Sequence, residues 1–306
     1  MSQISGKDAN NGWITCVPAE YDRILPSNLF AAAVRFRLGV APAHNLPELC
    51  VCQEALTPDH LAGCVRLRRF QHTKRHDSIA KAIARFARKV GMDVQTEPYE
   101  GGGGVRPDVH IQTAQGSIYL DVSVVHPQSK SMVNLVMNNR MGPIIKREQE
   151  KQSHFANYMG QRPGAKFIPV VLSTYGATGD GAKSVYKLIE HNEDDQSGGH
   201  TVSNKKKLVK ELKEVVAISL QRGNAEALLY GSIQARNAAQ AQRLPRLQNG
   251  TARRRLEVAT VQRHCAAVLG PAAAQNSLGQ VSVTQNLTID VQERDRSEQL
   301  DLGPDD

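Results

Sequence analysis

The sequence predicts an α/β protein, a mixed sheet flanked by helices, and three observations carry that reading. Ile79, Ala82, Ile83, Phe86, Ala87 and Val90 recur at helical spacing. The stretches Asp93–Glu97, Val109–Gln112, Ser117–Val125 and Lys166–Ser173 are short and carry β-branched or aromatic residues, as strands do. Helical patterns over Ile144–Met159 and Ala182–Glu190 interleave with them. The order helix, strands, helix, strand, helix is that of an α/β chain.

Taken in order, residues 1–48 form a lead-in segment holding the only Trp and the apolar-basic run Phe30–Gly39, a short helix stopped by its glycine. Residues 49–74 hold a Cys/His cluster. Residues 75–192 are the core: a basic-faced helix stopped by Gly91, the strands, and the two helices around the last strand. Within the core, Gly101–Gly104 reads as a flexible loop, because neither a strand-to-helix turn nor a Lys-Ser/Thr step accompanies it. Residues 193–248 open on an acidic Ser/Gly linker and continue as the helices Lys205–Leu220 and Ala225–Gln242. Residues 249–306, with scattered short apolar residues and an acidic end, read as largely disordered. The basic cluster Thr251–Arg255 is given no role.

The 306 residues carry a formal charge of +8, which favours a polyanionic partner, nucleic acid before others. No run of apolar residues is long enough to span a bilayer, and Met1–Asn11 lacks the apolar stretch of a secretory signal. A soluble, intracellular and nuclear protein is expected, with no membrane partner. Five cysteines are too few for a disulfide scaffold in a chain this long, and three of them fall within residues 50–64. Cys16 and Cys265 stand apart and read as small apolar residues.

Cys50, Cys52, His60 and Cys64 give the pattern C-x-C-x7-H-x3-C. Four soft or borderline ligands within so short a loop suit tetrahedral zinc, and a site filled by protein leaves no open position, so the metal would be structural. The bland alternative is buried or incidental cysteines.

Asp108 and Asp121 are set at the two ends of a hairpin. A turn centred on Ala114 and Gln115, with Gly116 just after it, places the two aspartates directly opposite each other on one face. Apposed carboxylates with Cβ atoms roughly 5 Å apart can share one divalent cation held by oxygen ligands. A turn shifted by one residue would separate them, and two solvated aspartates are the plain alternative.

The Cys/His cluster, the step Arg75-His76-Asp77 at the entry of the basic helix, and Arg106-Pro107-Asp108 followed by Leu120-Asp121 occur in a recognisable order. Together they resemble the carboxy-terminal region of non-LTR retrotransposon polyproteins of the restriction-like-endonuclease class. In that family a CCHC knuckle precedes an Arg-His step and a PD-(D/E)XK core. The resemblance covers about residues 11–240. Asn11–Thr15 and Phe30–Gly39 are similar to the segment before the knuckle. Phe167–Val171 and Tyr175–Gly179 are similar to the strand and glycine turn after the catalytic helix.

The resemblance implies a restriction-endonuclease-like fold and a metal-dependent endonuclease that nicks target DNA so that the 3′ end primes reverse transcription. By position, Asp108 and Asp121 would hold Mg²⁺ or Mn²⁺, and Glu97 would add a third oxygen. His76 would sit near the phosphate or orient a metal-bound water, unless it only helps to start its helix. Arg75, Lys81, Arg85, Arg88 and Arg106 would contact nucleic acid: DNA, and RNA of the parent element. The family usually places a lysine two residues after the second acid, where this chain has Ser123. Relatives of this class supply it from a following helix in a Lys-x-x-Lys-Tyr pattern, which Lys151, His154 and Phe155 match in part. Ile144, Glu148, Lys151, Phe155 and Tyr158 share helical spacing, so Lys151 is expected on the stripe facing the sheet, with snorkelling to solvent as the alternative. The sequence carries no Tyr/Phe-x-Asp-Asp step of a polymerase palm, so the expected origin is a detached polyprotein end, a degraded copy or a host derivative. The rival reading is a catalytically inactive, zinc-braced nucleic-acid-binding module from the same ancestry. A zinc-braced interaction protein is a third.

Overall fold

The computed structural model describes residues 9–68, 71–98, 105–191 and 202–243. The Gly101–Gly104 loop, the linker 193–199, Thr251–Arg255, Cys265 and the tail 249–306 lie outside them. By its contacts the chain divides into residues 1–235 and 236–306. The elements are α1 (Gly12–Thr15), a 3-10 turn (Tyr21–Arg23), α2 (Ser27–Arg37), α3 (Pro58–Gly63), α4 (Val65–Arg68), α5 (Gln71–Lys89), β1 (Asp93–Thr96), β2 (Val109–Thr113) and β3 (Gly116–Val125). They continue with α6 (Val133–Asn138), α7 (Gly142–Gly160), β4 (Lys166–Ser173), α8 (Asp180–Glu190) and α9 (Val202–Arg243).

The four strands form one mixed sheet in the order β1-β2-β3-β4, antiparallel except for the parallel β3–β4 pair. A parallel neighbour requires a crossover connection, which α6 and α7 supply between β3 and β4. β3 lies inside the sheet and is buried over most of its length, which accounts for its almost unbroken apolar run. Pro169 is tolerated in β4 because β4 is the edge strand of the sheet, and the bonds on its outer side, from Gly179 N–H to Val171 O and from Ser173 N–H to Ala177 O, lie further along it.

The expected hairpin register is the observed one. Val109 pairs with Leu120 and Thr113 with Gly116, whose φ of +125° suits glycine at the tight end. Side chains alternate across β3. Leu120 and Val122 join Val109, Ile111, Val170 and Leu172 in a core covered by α5, α8 and α9. The opposite face, carrying Tyr119, Asp121, Ser123 and Val125, is covered by α7 through Ile144, Phe155 and Tyr158. The result is the mixed α/β sheet flanked by helices that the sequence predicts.

One element differs. The two C-terminal helices expected over Lys205–Leu220 and Ala225–Gln242 are a single helix, α9, which runs through Gly223. Gly223 is there for close approach rather than for a break: a Cβ at this position would come within 2.5 Å of Arg75 Cβ and Cγ. The sequence shows a glycine within a helical pattern, and only the packed neighbour distinguishes a contact point from a stop. The helices α1, α3, α4 and α6, at four to six residues each, carry too little periodicity to be read from sequence.

Candidate active site and metal centre

The Cys/His cluster is assembled by a tight turn followed by a short helix. Cys50 N–H donates to Glu54 O, Gln53 N–H donates back to Cys50 O, and Gln53 takes the left-handed φ of +69° that the turn needs. Thr57 caps α3 by accepting from His60 N–H at 3.0 Å, with Pro58 at the first helical position. The potential ligand atoms of Cys50, Cys52, His60 and Cys64 all lie within 4.8 Å of one another. Cys50 Sγ is 3.7 Å from Cys64 Sγ, and Cys52 Sγ is 3.3 Å from His60 Nε2. Burial and neighbouring sulfurs push the Cys50 thiol up to about 12. Cys52 is held below its ordinary value, because hydrogen bonds from the Glu54 backbone and from Cys50 and Cys64 together outweigh burial. Three sulfurs and an imidazole facing one point are a donor set compatible with structural zinc, whose binding would deprotonate the thiols. Behind it, Phe36, Leu61, Leu67, Tyr175 and Leu228 pack against Cys50 and Cys64.

The acidic site lies at the open end of the β2–β3 hairpin. Asp108 N–H donates to Leu120 O at 2.9 Å, the carbonyl of the residue that already pairs with Val109, so the regular ladder ends there and Asp108 stands at the end of the hairpin beside the Leu120–Val122 stretch that carries Asp121. Asp108 Oδ2 accepts from Val122 N–H at 2.6 Å and lies 2.9 Å from His76 Nε2. Both contacts fall on the same oxygen. His76 also lies 3.0 Å from Asp77 Oδ1 through Nδ1. Held first by its hydrogen bond to Asp108, and against the cost of burial, His76 is pushed up to about 9, so it is protonated at neutral pH. Asp121 is buried, and its pKa is raised by desolvation and by the charge of Asp108, against the opposing pull of Lys151 and His76. Lys151, from the sheet-facing stripe of α7, brings Nζ to 2.7 Å from Asp121 Oδ2. One turn earlier on α7, Arg147 Nε donates to Ser123 Oγ at 2.9 Å. The sequence gives no special weight to Arg147. Its only signal is its place four residues before Lys151, within reach of the same strand.

The other expected site residues are placed differently. Glu97, at a φ of +48°, follows β1 opposite Asp108 in register, but its half-exposed carboxylate pairs with Arg106 at 2.8 Å. Arg75 is 5 % exposed and donates through Nη1 to Asn224 Oδ1 at 2.6 Å. That guanidinium is an anchor between α5 and α9, not a cation presented to solvent. On α5, Arg85 pairs with Asp22 and Arg88 donates to Val94 O, while Lys81 is exposed.

A further cluster, with no pattern in the sequence to announce it, ties the Cys/His loop to the ends of β3 and β4. Tyr175 O–H donates to Asp59 Oδ1 at 2.5 Å, and the Tyr175 ring stacks on Phe36. His126 Nδ1 is 2.9 Å from Thr174 Oγ1, and its Nε2 is 3.5 Å from Asp59 Oδ1. Burial drives His126 down to about 4, helped by the charge of Arg75 and opposed by Asp59. With an unfolded value of about 6.5, the neutral imidazole contributes stability that is complete above that pH and is lost as pH falls toward 4. From pH 7 to pH 5 the loss should be about 2 kcal/mol. Thermal melts of zinc-saturated protein at both pH values, parent against His126→Gln, check this. The variant should lose clearly less.

No known protein-family model matches the chain. It is, however, 25 % identical over 180 residues to the retrovirus-related Pol polyprotein from the type-1 retrotransposable element R2 of Popillia japonica. That similarity supports a retrotransposon-related origin. The match covers 55 % of this chain but only 39 % of the polyprotein, so the chain corresponds to less than half of that relative. Among the described residues, no helix is long and apolar enough to cross a membrane.

Proposed function

We propose that the protein is a metal-dependent DNA endonuclease of retroelement origin that nicks phosphodiester bonds at the Asp108–Asp121 site. The observation that carries the reading is the constellation of two carboxylates brought together at the open end of one hairpin, with the Lys151 ammonium 2.7 Å from the second. Asp121 is a buried carboxylate whose pKa is raised by desolvation and by the charge of Asp108, so a cation shared by the two would favour its ionised form, and hard oxygen donors suit Mg²⁺ or Mn²⁺. Such an ion, held by Asp108 and Asp121, would polarise the scissile phosphate and lower the pKa of the attacking water. His76 and the Val122 amide fix Asp108 Oδ2, which leaves Oδ1 for the cation. Lys151 stabilises charge on the phosphate, and Glu97 adds an outer oxygen when it exchanges Arg106 for the site. Lys81, Arg88 and Arg106 hold the duplex through its phosphates. The Cys/His loop, loaded with zinc, braces the face beside the core. Nuclear DNA is the substrate, and an RNA of the parent element is a second partner.

The test is conversion of supercoiled plasmid to open circles by zinc-loaded protein with Mg²⁺ or Mn²⁺, against the same protein without added divalent ion. Lys151→Met should slow single-turnover nicking by roughly 100-fold, the scale of losing one preorganised electrostatic donor, with DNA affinity almost unchanged. If the parent binds DNA but never nicks it, the inactive binding module becomes the correct reading.

A further inference from the structure

The acid face carries a second cation besides Lys151. We propose that Arg147 binds a phosphate of the DNA strand that crosses the Asp108–Asp121 pair, next to the one held at Lys151; this rests on the acid face being the DNA site. Arg147 and Lys151 are one turn apart on α7 and so project the same way. Lys151 reaches Asp121, and Arg147 reaches Ser123, two residues further along the same face of β3. The two contact points on the strand are therefore roughly 7 Å apart.

The guanidinium is prepared rather than consumed by its present contacts. Nε is fixed by a neutral hydroxyl, that of buried Ser123, which sets the plane of the fork without neutralising its charge. Nη1 lies 3.0 Å from Glu150 Oε2, a pair whose side chains are 36 % and 40 % exposed. Such an exposed pair is weak, so a phosphate, which an arginine fork binds in two-point fashion, can displace it. A purely mechanical role, pinning α7 to β3, would use the same Ser123 hydrogen bond but would not involve DNA.

The experiment is the salt dependence of duplex binding by zinc-loaded full chain without Mg²⁺ or Mn²⁺, so that no cutting intervenes. Each phosphate contact contributes about 0.9 to the slope of log K against log salt. Arg147→Gln should lower the slope by about that amount, so that between 50 and 200 mM salt it loses about threefold less affinity than the parent. Arg147→Lys should keep the parent slope, and Ser123→Ala should leave it nearly unchanged. A parent slope in Arg147→Gln, with a lowered melting temperature, would show a brace only and overturn the proposal. So would a slope that falls equally in Arg147→Lys. A parent that binds but does not nick would defeat the nuclease reading while the slopes still decide the role of Arg147. A parent that binds no DNA would defeat both.

Discussion

Asp108→Ala and Asp121→Ala should each leave no metal-dependent nicking above background, a loss of roughly 1,000-fold or more. Stabilisation by a bound cation is worth several kcal/mol in the transition state, and each 1.4 kcal/mol is tenfold in rate. The two variants should fail for the same reason but differ in stability. Asp121 is buried against Lys151, so its removal strands an ammonium whose side chain is only 18 % exposed. Asp121→Asn keeps the volume and hydrogen-bonding capacity and separates loss of the charge from loss of the fold. DNA binding should survive in all three, because on the proposed reading affinity would rest on cations spread over the surface and not on the carboxylates. Single-turnover rates with parallel binding curves are the check.

Stripping the zinc should have the largest effect on stability. Apparent binding free energies of structural zinc in small peptides are about 10–16 kcal/mol, as large as the whole stability of an ordinary domain. Besides the four potential metal-ligand side chains, the segment from Cys50 to Cys64 is held by a small apolar cluster and by the Asp59–Tyr175 hydrogen bond. Its short helix α3 contributes two buried side chains, Leu61 and Ala62. Cys64→Ser or a chelator should therefore release about one zinc per chain and expose residues 50–64 to proteolysis. The effect should extend further, because Asp59 of this loop bonds Tyr175 and approaches His126 at the ends of β4 and β3. Limited proteolysis with metal analysis measures this. A chelated protein that is as resistant as the parent would remove zinc from its structural role.

The parts of this arrangement that were legible in the sequence are those fixed by short-range rules. The alternation through Val109–Val125 with Gly116 at its turn determines the register from Val109–Leu120 to Thr113–Gly116, and that register carries Asp108 to the end of the hairpin beside Asp121. The stripe Ile144, Lys151, Phe155, Tyr158 sets which side of α7 faces the sheet, and so which lysine meets Asp121. The spacing of Cys50, Cys52, His60 and Cys64 needs only a turn and one helical turn to close. Long-range partners were not legible. Arg75 resembles any other cation of a basic helix until Gly223 and Asn224 close over it from α9. Glu97 is in the right register but meets Arg106, a choice made by loop conformation. The His126–Asp59–Tyr175 cluster joins three distant segments and has no sequence pattern at all. Arg147 is hidden for a related reason: its partner is Ser123, a residue whose type suggests nothing.

The most direct test of the acidic pair as a cation site is a Mn²⁺ titration of zinc-loaded full chain, followed by electron paramagnetic resonance. One further Mn²⁺ per chain should bind saturably, and the site should be lost in both Asp108→Ala and Asp121→Ala while the zinc content stays unchanged. No saturable site in the parent, or one that persists in both variants, would contradict the assignment.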